Sequence, residues 1–225
     1  KAKELARQAG VLEQITFVKG ALEDLSAFDS KSFDLVISFD APISYTYPHQ
    51  EQVIQELVRL AGKRIIISVS SRMGYLPYLA NPLQKNQFIL DENCGDSWVR
   101  WCVANKDNAV QSFSFDKKAA EKLLAEGLMG GEKEIAEYEQ GGAPWCITYT
   151  FMPDELRDIL SRSGVKNIEL AGPGAYARTI PNELLVKIMK DPKQRSDFLD
   201  FCYRYDANEF VCGMGKDNLL AKGEL

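Results

Sequence analysis

FDLVISFDAPISYTYPHQEQVIQELVRLAGKRIIISVSSRMG, residues Phe33 to Gly74, contains the clearest strand and helix signals of this chain. It reads as a strand over Asp34–Phe39, a loop, a helix over Gln50–Ala61 and a second strand over Arg64–Val69. Continuous apolar runs of this length are typical of parallel strands that are covered on both faces. Open α/β sheets bind ligands at the carboxyl ends of such strands, so the loop Asp40–His49 is the predicted site.

Strand and helix signals also alternate outside this stretch. The alternation predicts an α/β fold with a mainly parallel sheet and helices on both faces. The other predicted elements are a helix end at Lys1–Ala9, a strand at Ile15–Val18, a helix at Lys117–Glu126, a strand at Trp145–Phe151, a helix at Pro153–Ser163, a strand at Lys166–Leu170, helices at Pro181–Met189 and Lys193–Asn208, and a strand at Asn218–Ala221.

Composition restricts the class of protein. The chain has 225 residues, of which 45% are hydrophobic and 26% are charged, as in an ordinary globular domain. Its net charge of −5 argues against a broad nucleic-acid surface, which requires Lys and Arg. No apolar run reaches the roughly 20 residues that cross a bilayer, and the first ten residues lack the pattern of a signal peptide. Five cysteines without metal-ligand spacing predict reduced thiols, no metal site and a cytoplasmic location.

An aromatic-rich segment interrupts the alternation between residues 72 and 142. We interpret it as an insert that lies over the sheet edge within one domain, residues 1–225. Trp98 and Trp101 lie in this insert and are candidates for a substrate-binding lid. The alternative is that they form the core of the insert itself.

Four segments resemble the class I, Rossmann-like methyltransferases that use S-adenosylmethionine. ITFVKGALEDL at Ile15–Leu25 is similar to the third strand of that family and its acidic loop. SFDLVISFDAPISY at Ser32–Tyr45 is similar to the fourth strand and the loop after it. Ile54–Gly74 looks like the following helix and fifth strand, and Tyr149–Leu170 looks like the last helix and the entry to the sixth strand. The resemblance implies a three-layer Rossmann-like methyltransferase fold, with the insert after the fifth family strand.

The resemblance also implies that two loops hold S-adenosylmethionine. One follows the third family strand and lies beside the adenine; the other follows the fourth and lies under the methionine and ribose. The implied cofactor-binding residues are Ala21, Leu22, Glu23, Phe39, Asp40 and Ala41. Ala21 stands where the family usually has Asp, so the carboxylate contact with the adenine amino group is lost or moved. A solvated turn at Glu23 and core packing of Phe39 are the alternatives.

The acceptor side of the predicted site is rich in aromatic residues. Methyl transfer from a sulfonium depends mainly on orientation, and it needs a base only when the nucleophile holds its proton tightly. His49, the sole histidine, and Tyr45 are candidates for catalytic residues, and Tyr47 and Arg72 for substrate binding. The alternatives are a surface position for His49, packing of the tyrosines under the insert, and a structural ion pair for Arg72.

The Gly-rich cofactor loop of the family is not found before Ile15. The resemblance therefore implies an N-terminally truncated domain, in which the family's first strand, first helix and second strand are absent. The strand at Ile15–Val18 then lacks its neighbours. We expect a preceding segment or an associated chain to complete the sheet.

Together these features predict methyl transfer from S-adenosylmethionine to a small or medium organic acceptor. An aromatic insert over the ligand edge fits such an acceptor, because it encloses a pocket. The alternatives are methylation of RNA or protein, and a non-catalytic methyltransferase-like module for binding or assembly. The departure at Ala21 and the missing Gly-rich loop favour the module.

Overall fold

The computed structural model describes residues 1–80, 117–129, 147–215 and 218–225, without the side chains of residues 78–80 and 182. The helices in these ranges are α1 (Ala2–Gln8), α2 (Gln50–Leu60), α3 (Arg72–Ala80), α4 (Lys117–Glu126), α5 (Pro153–Arg162), α6 (Asn182–Lys190) and α7 (Pro192–Asp206). The strands are β1 (Phe33–Ser38), β2 (Ala61–Ser71), β3 (Leu128–Met129), β4 (Thr148–Phe151), β5 (Lys166–Ala171) and β6 (Asn218–Glu224).

Strand β2 is the centre of the sheet. It pairs parallel with β1 on one side and antiparallel with β6 on the other, and β5 pairs antiparallel with β6. The prediction of a mainly parallel sheet is therefore wrong, since the sheet is mixed. The last strand, β6, runs antiparallel to both β2 and β5 and lies between them. Strand signals in the sequence do not specify such long-range pairing.

The short strand β4 extends the sheet beyond the end of β1. It pairs parallel with Ser70 and Ser71 of β2, whereas the β1 ladder ends where Ser38 meets Ile67. Because Ser70 also pairs with Asn218 of β6, β4 lies on the side of β2 that β1 occupies. Strand β3 pairs antiparallel with β4 and so joins the same edge. The loop after β1 consequently faces β4.

Helices α2 and α5 cover one face of the sheet, where they contact each other. The inward positions of α2 follow a helical repeat, and Val53, Ile54 and Leu57 are buried. In α5, Pro153 occupies the first turn and the Glu155 side chain caps the backbone N–H of Met152 at 3.3 Å. These local signals explain why both helices lie within a residue of their predicted bounds.

Within the described residues, only one face of β1 is buried. Val36 and Ser38 point into the core, but Leu35 and Ile37 on the opposite face are 43% and 52% exposed. Side chains alternate between the two faces of a strand, so one whole face of β1 is open in the described structure. The third, helical layer that the resemblance implied on that face stays a prediction.

The predicted strand at Ile15–Val18 forms no ladder with any described residue. Its backbone is extended at Ile15, and Val18 is 64% exposed. A strand is defined by its hydrogen-bonded neighbour, so an extended segment without one is not assigned as a strand. None of the helices in the described ranges has the length and apolar character needed to cross a bilayer.

Candidate functional site

The loop after β1 has an unusual backbone. Asp40 and Ala41 have φ angles of 71° and 55°, so two successive non-glycine residues occupy the left-handed region. This region costs an L-residue roughly 1–2 kcal/mol. Such residues persist where the surroundings hold them, and they cluster at functional sites. The turn therefore marks the carboxyl end of β1 as the candidate site.

Buried serine side chains hold this turn on β2. The backbone N–H of Ala41 donates to Oγ of Ser68 at 3.1 Å, and the N–H of Ser70 donates to Oγ of Ser44 at 2.8 Å. Residues Pro42–Tyr45 form a single 3₁₀ turn, which places Ile43 in the core with no exposed surface. The turn is thus held on the side that faces β2 and the core, while its opposite, outer side is accessible to solvent.

The outer side of the turn presents an aromatic ring and a carboxylate. Phe39 is 55% exposed, which rules out the alternative that its side chain packs in the core of the described structure. Asp40 is also exposed. Directly before them, the buried Oγ of Ser38 has no hydrogen-bond partner among the described residues, and neither has that of Ser70. Buried hydroxyls without partners are rare and are consistent with a ligand or water that completes them.

A cavity of about 540 Å³ brings two predicted site residues together, Glu23 and His49. Leu25 and Val53 also line it, and its size lies within the usual range for small-ligand pockets. Nδ1 of His49 lies 3.2 Å from Oε1 of Gln52. The loop that carries Glu23 and the first turn of α2 therefore form one concave surface.

Hydrogen bonds fix the loop that forms the far wall of this cavity. The guanidinium of Arg59 donates to the carbonyl oxygens of Leu25 and Phe28 at 3.1 and 2.9 Å. The hydroxyl and backbone N–H of Ser26 donate to the carboxylate of Asp24, and they hold the pKa of that carboxyl below its usual range. Asp24 is thus an anion on this loop at neutral pH.

Arg72 forms the structural ion pair that was the alternative to substrate binding. Its Nη2 lies 2.9 Å from Oε2 of Glu155 and 2.8 Å from the carbonyl oxygen of Thr150. The side chains of Arg72 and Glu155 are only 10% and 28% exposed. The same carboxylate accepts a hydrogen bond from the Tyr149 hydroxyl. Arg72 therefore joins the end of β2 to β4 and α5.

Gly127, between α4 and β3, packs directly against this ion pair. The backbone N–H and the hydroxyl of Thr150 both donate to the carbonyl oxygen of Gly127, each at 2.7 Å. The φ angle of Gly127 is +74°, and a Cβ at this position would approach the Arg72 guanidinium. The absence of a side chain thus allows α4 and β3 to dock on the sheet edge.

Comparison with known families adds to this geometry. The model of a family described as a methyltransferase domain matches residues 1–64, which include the cavity loop, β1, the strained turn and α2. The matched segment, residues 1–64, is thus similar to a methyltransferase domain. This match agrees with the predicted family, enzyme class and methyl donor.

Comparison with single proteins is less informative. No curated protein matches the chain significantly. Among solved structures, the chain is similar to a Thermotoga maritima protein described as an S-adenosylmethionine-dependent methyltransferase and possible histamine N-methyltransferase. The identity is 13%, the match covers 97% of this chain and 69% of the other, and the TM-score is 0.38. A TM-score this low does not establish a shared fold, so nothing further follows from the likeness.

The other predicted residues of the candidate site are not all brought together. Ala21 is exposed and its carbonyl accepts the backbone N–H of Asp24 at 3.2 Å, while Leu22 packs against the core. Neither lines the cavity that Glu23 and His49 share. Trp98 and Trp101 lie outside the described residues.

Sequence reasoning missed several residues that surround the candidate site: Ser44, Ser68, Tyr149 and Glu155. One signal for the serines was available, because SVSS at residues 68–71 places hydroxyls in an otherwise apolar strand. Such hydroxyls need a partner once they are buried. Glu155 gave no comparable signal, since its partner Arg72 lies 83 residues away. Neither did Tyr149, whose ring stacks on that of the distant Tyr47.

Proposed function

We propose that this methyltransferase transfers the methyl group of S-adenosylmethionine to a small or medium organic acceptor at the carboxyl end of β1. The observation that carries the proposal is the strained turn Asp40–Ala41, which buried serines hold while its outer side stays open. Strained turns held by their surroundings cluster at ligand sites, and a bound ligand would give the unpartnered buried hydroxyls a partner. The net charge of −5 favours a small molecule over a nucleic acid as the acceptor.

The residues of the turn suit the methionine and ribose end of S-adenosylmethionine. The exposed carboxylate of Asp40 is suited to face the positive sulfonium or the ribose hydroxyls, and the half-exposed ring of Phe39 supplies an apolar wall. Glu23, with Ala21 and Leu22, would hold the adenine. Ala21 provides no carboxylate for the adenine amino group, so that contact must come from a neighbouring residue.

The acceptor would approach from the Tyr45–His49 side. Tyr45 and Tyr47 are 38% and 41% exposed, and His49 opens into the cavity. The acceptor attacks the methyl carbon as the carbon–sulfur bond breaks, and S-adenosylhomocysteine leaves. The imidazole of His49 is the candidate base for an acceptor that must lose a proton. Trp98 and Trp101 remain proposed parts of the lid.

We expect Asp40→Asn to weaken S-adenosylmethionine binding about tenfold, which corresponds to about 1.4 kcal/mol. Asn tolerates the left-handed conformation well, so this variant removes the charge and retains the turn. Titration calorimetry on the intact protein measures the change. The control is Asp197→Asn, an exposed carboxylate of α7, which should leave the affinity unchanged. No heat of binding in the unmodified protein would refute the proposed function.

We also propose that a further polypeptide segment pairs with the free edge of β1. Among the described residues, β1 pairs only with β2, so its other edge has no described neighbour, and such an edge invites pairing. The outer face of β1 also carries Phe33, Leu35 and Ile37, each at least 42% exposed. Hydrogen–deuterium exchange of the intact protein tests this. We expect all amides of β1 to be protected to the level of those in β2. Rapid exchange of alternate β1 amides would show that the edge is open.

A further inference from the structure

The charges of Arg72 and Glu155 are already compensated within the described structure. The two groups lie 2.9 Å apart and are largely withdrawn from solvent. An anionic ligand on Arg72, or a cationic ligand on Glu155, would have to displace the partner and leave a poorly solvated charge behind. Breaking such a pair is costly. The end of β2 therefore offers an incoming acceptor no available charge from this pair.

The ring of Tyr149 is fixed on several sides. Its hydroxyl donates to Glu155, its ring meets that of Phe151 edge-to-face at 4.9 Å, and the Arg72 guanidinium lies 5.8 Å from the ring centre. Burial, followed by the bond to Glu155, raises the pKa of Tyr149 to about 12. At neutral pH this side chain is a rigid, uncharged phenol and is not available as a base.

Tyr47 extends this fixed surface towards the turn. Its ring lies parallel to that of Tyr149, with 6° between the planes and 6.1 Å between the centres, as in an offset stack. Tyr47 is 41% exposed, and it lies in the same loop as Tyr45 and His49. The stack thus presents a flat aromatic surface on the acceptor side of the site.

We propose that the Tyr47–Tyr149 stack is the acceptor-binding wall and that it selects a planar, uncharged aromatic acceptor. This inference rests on the proposed function and names the substrate class of the same site. Stacking against a fixed ring favours the binding of planar molecules. A carboxylate on the acceptor would find no free cation at Arg72, because Arg72 is already paired with Glu155. Glu155 is a positioning residue, since it holds Tyr149 and through it the orientation of Tyr47.

The test compares phenol, benzoate and cyclohexanol as binding probes for the intact protein. These compounds are respectively planar and neutral, planar and anionic, and neutral but not planar. In ligand-observed NMR titrations we expect phenol to bind at least about tenfold more tightly than the other two, a difference of about 1.4 kcal/mol. Benzoate that binds as well as phenol, or cyclohexanol that does so, would overturn the proposal.

Variants assign the preference to the stack. Tyr47→Leu should abolish the preference for phenol and Tyr47→Phe should retain it. Tyr203→Leu on α7, where the side chain is 77% exposed, is the matched control and should have no effect. A phenol preference that survives Tyr47→Leu would refute the wall.

The positioning role has its own readout. Glu155→Gln and Tyr149→Phe should each weaken phenol binding severalfold and leave the affinity for S-adenosylmethionine unchanged. Equal loss of both affinities in the two variants would indicate a general structural role and contradict the proposal. S-adenosylmethionine binding is measured separately on each sample, so a failure of the proposed function is distinguishable from a failure of the wall.

Discussion

Gly127→Ala is expected to lower the free energy of unfolding by about 3 kcal/mol. The substitution combines two costs at one position. The φ angle of +74° is strained for any residue with a Cβ, and the new Cβ would lie 2.8 Å from the carbonyl oxygen of Thr150 and press on the Arg72 guanidinium. Backbone atoms of β4 cannot move without loss of the two bonds from Thr150 to Gly127. Urea unfolding followed by circular dichroism measures the effect.

Two other glycines separate the conformational cost from the steric cost. Gly164 also has a positive φ, +93°, but a Cβ there would meet nothing within 4 Å, so Gly164→Ala should cost about 1 kcal/mol. Gly20 has neither a positive φ nor a neighbour within 4 Å, so Gly20→Ala should be close to neutral. A Gly127→Ala variant no less stable than Gly164→Ala would show that α4 and β3 do not dock as described.

Most helices in the described ranges were predictable because their signals are local. Helix α3 (Arg72–Ala80) was not predicted, since it lies in the segment interpreted as an insert. Helix α2 follows from the spacing of its apolar residues, and α5 follows from its proline, its acidic first turn and the glycine after its end. The helix predicted at Lys117–Glu126 agrees with α4 at both ends. In each case the information lies within about four residues of the position that it determines.

The sheet was less predictable because strand pairing is not local. The signal at Asn218–Ala221 indicates a strand, but only contact with β2 shows that it runs antiparallel over Asn218–Glu224. The apolar run of β1 indicates burial on both faces, yet burial depends on what covers the strand. In the described structure Leu35 and Ile37 are open. Periodicity therefore located β1, β2, β5 and β6, but it missed the short β3, predicted a strand at Ile15–Val18 that forms no described ladder, and gave no strand directions.

In the candidate site, too, local features were predictable and long-range contacts were not. The resemblance placed ligand-binding residues at Phe39–Ala41. The structure shows a strained turn at the same place, which the residue types did not predict, because Ala is uncommon in the left-handed region that Ala41 occupies. The residues that hold the site in place, Ser68 and Glu155, act on partners 27 and 83 positions away. Those contacts exist only once the chain has folded.

The Arg72–Glu155 ion pair leads to the other large expected effect. Glu155→Gln retains the size of the side chain but has one acceptor oxygen in place of two, so it cannot accept from both the Tyr149 hydroxyl and the Met152 N–H. It also leaves the guanidinium of Arg72 poorly solvated and without its anion. We expect a loss of about 3 kcal/mol in the free energy of unfolding. Arg72→Met should cost a similar amount. Urea unfolding of both single variants and the double variant completes a thermodynamic cycle.

The double variant, Arg72→Met with Glu155→Gln, distinguishes a buried pair from two independent contacts. With neither charge present, no unpaired ion remains, so the combined loss should fall short of the sum of the single losses by at least about 1 kcal/mol. The exposed pair of Glu169 and Lys222 is the control, and Glu169→Gln should change stability by less than about 0.5 kcal/mol. Salt should weaken the exposed pair and spare the buried one, because counterions screen only accessible charges. If the losses in free energy of unfolding at Arg72 and Glu155 are strictly additive, the two side chains stabilise the sheet edge separately. The Arg72–Glu155 pair would then not act as one unit that holds Tyr149 in the acceptor wall.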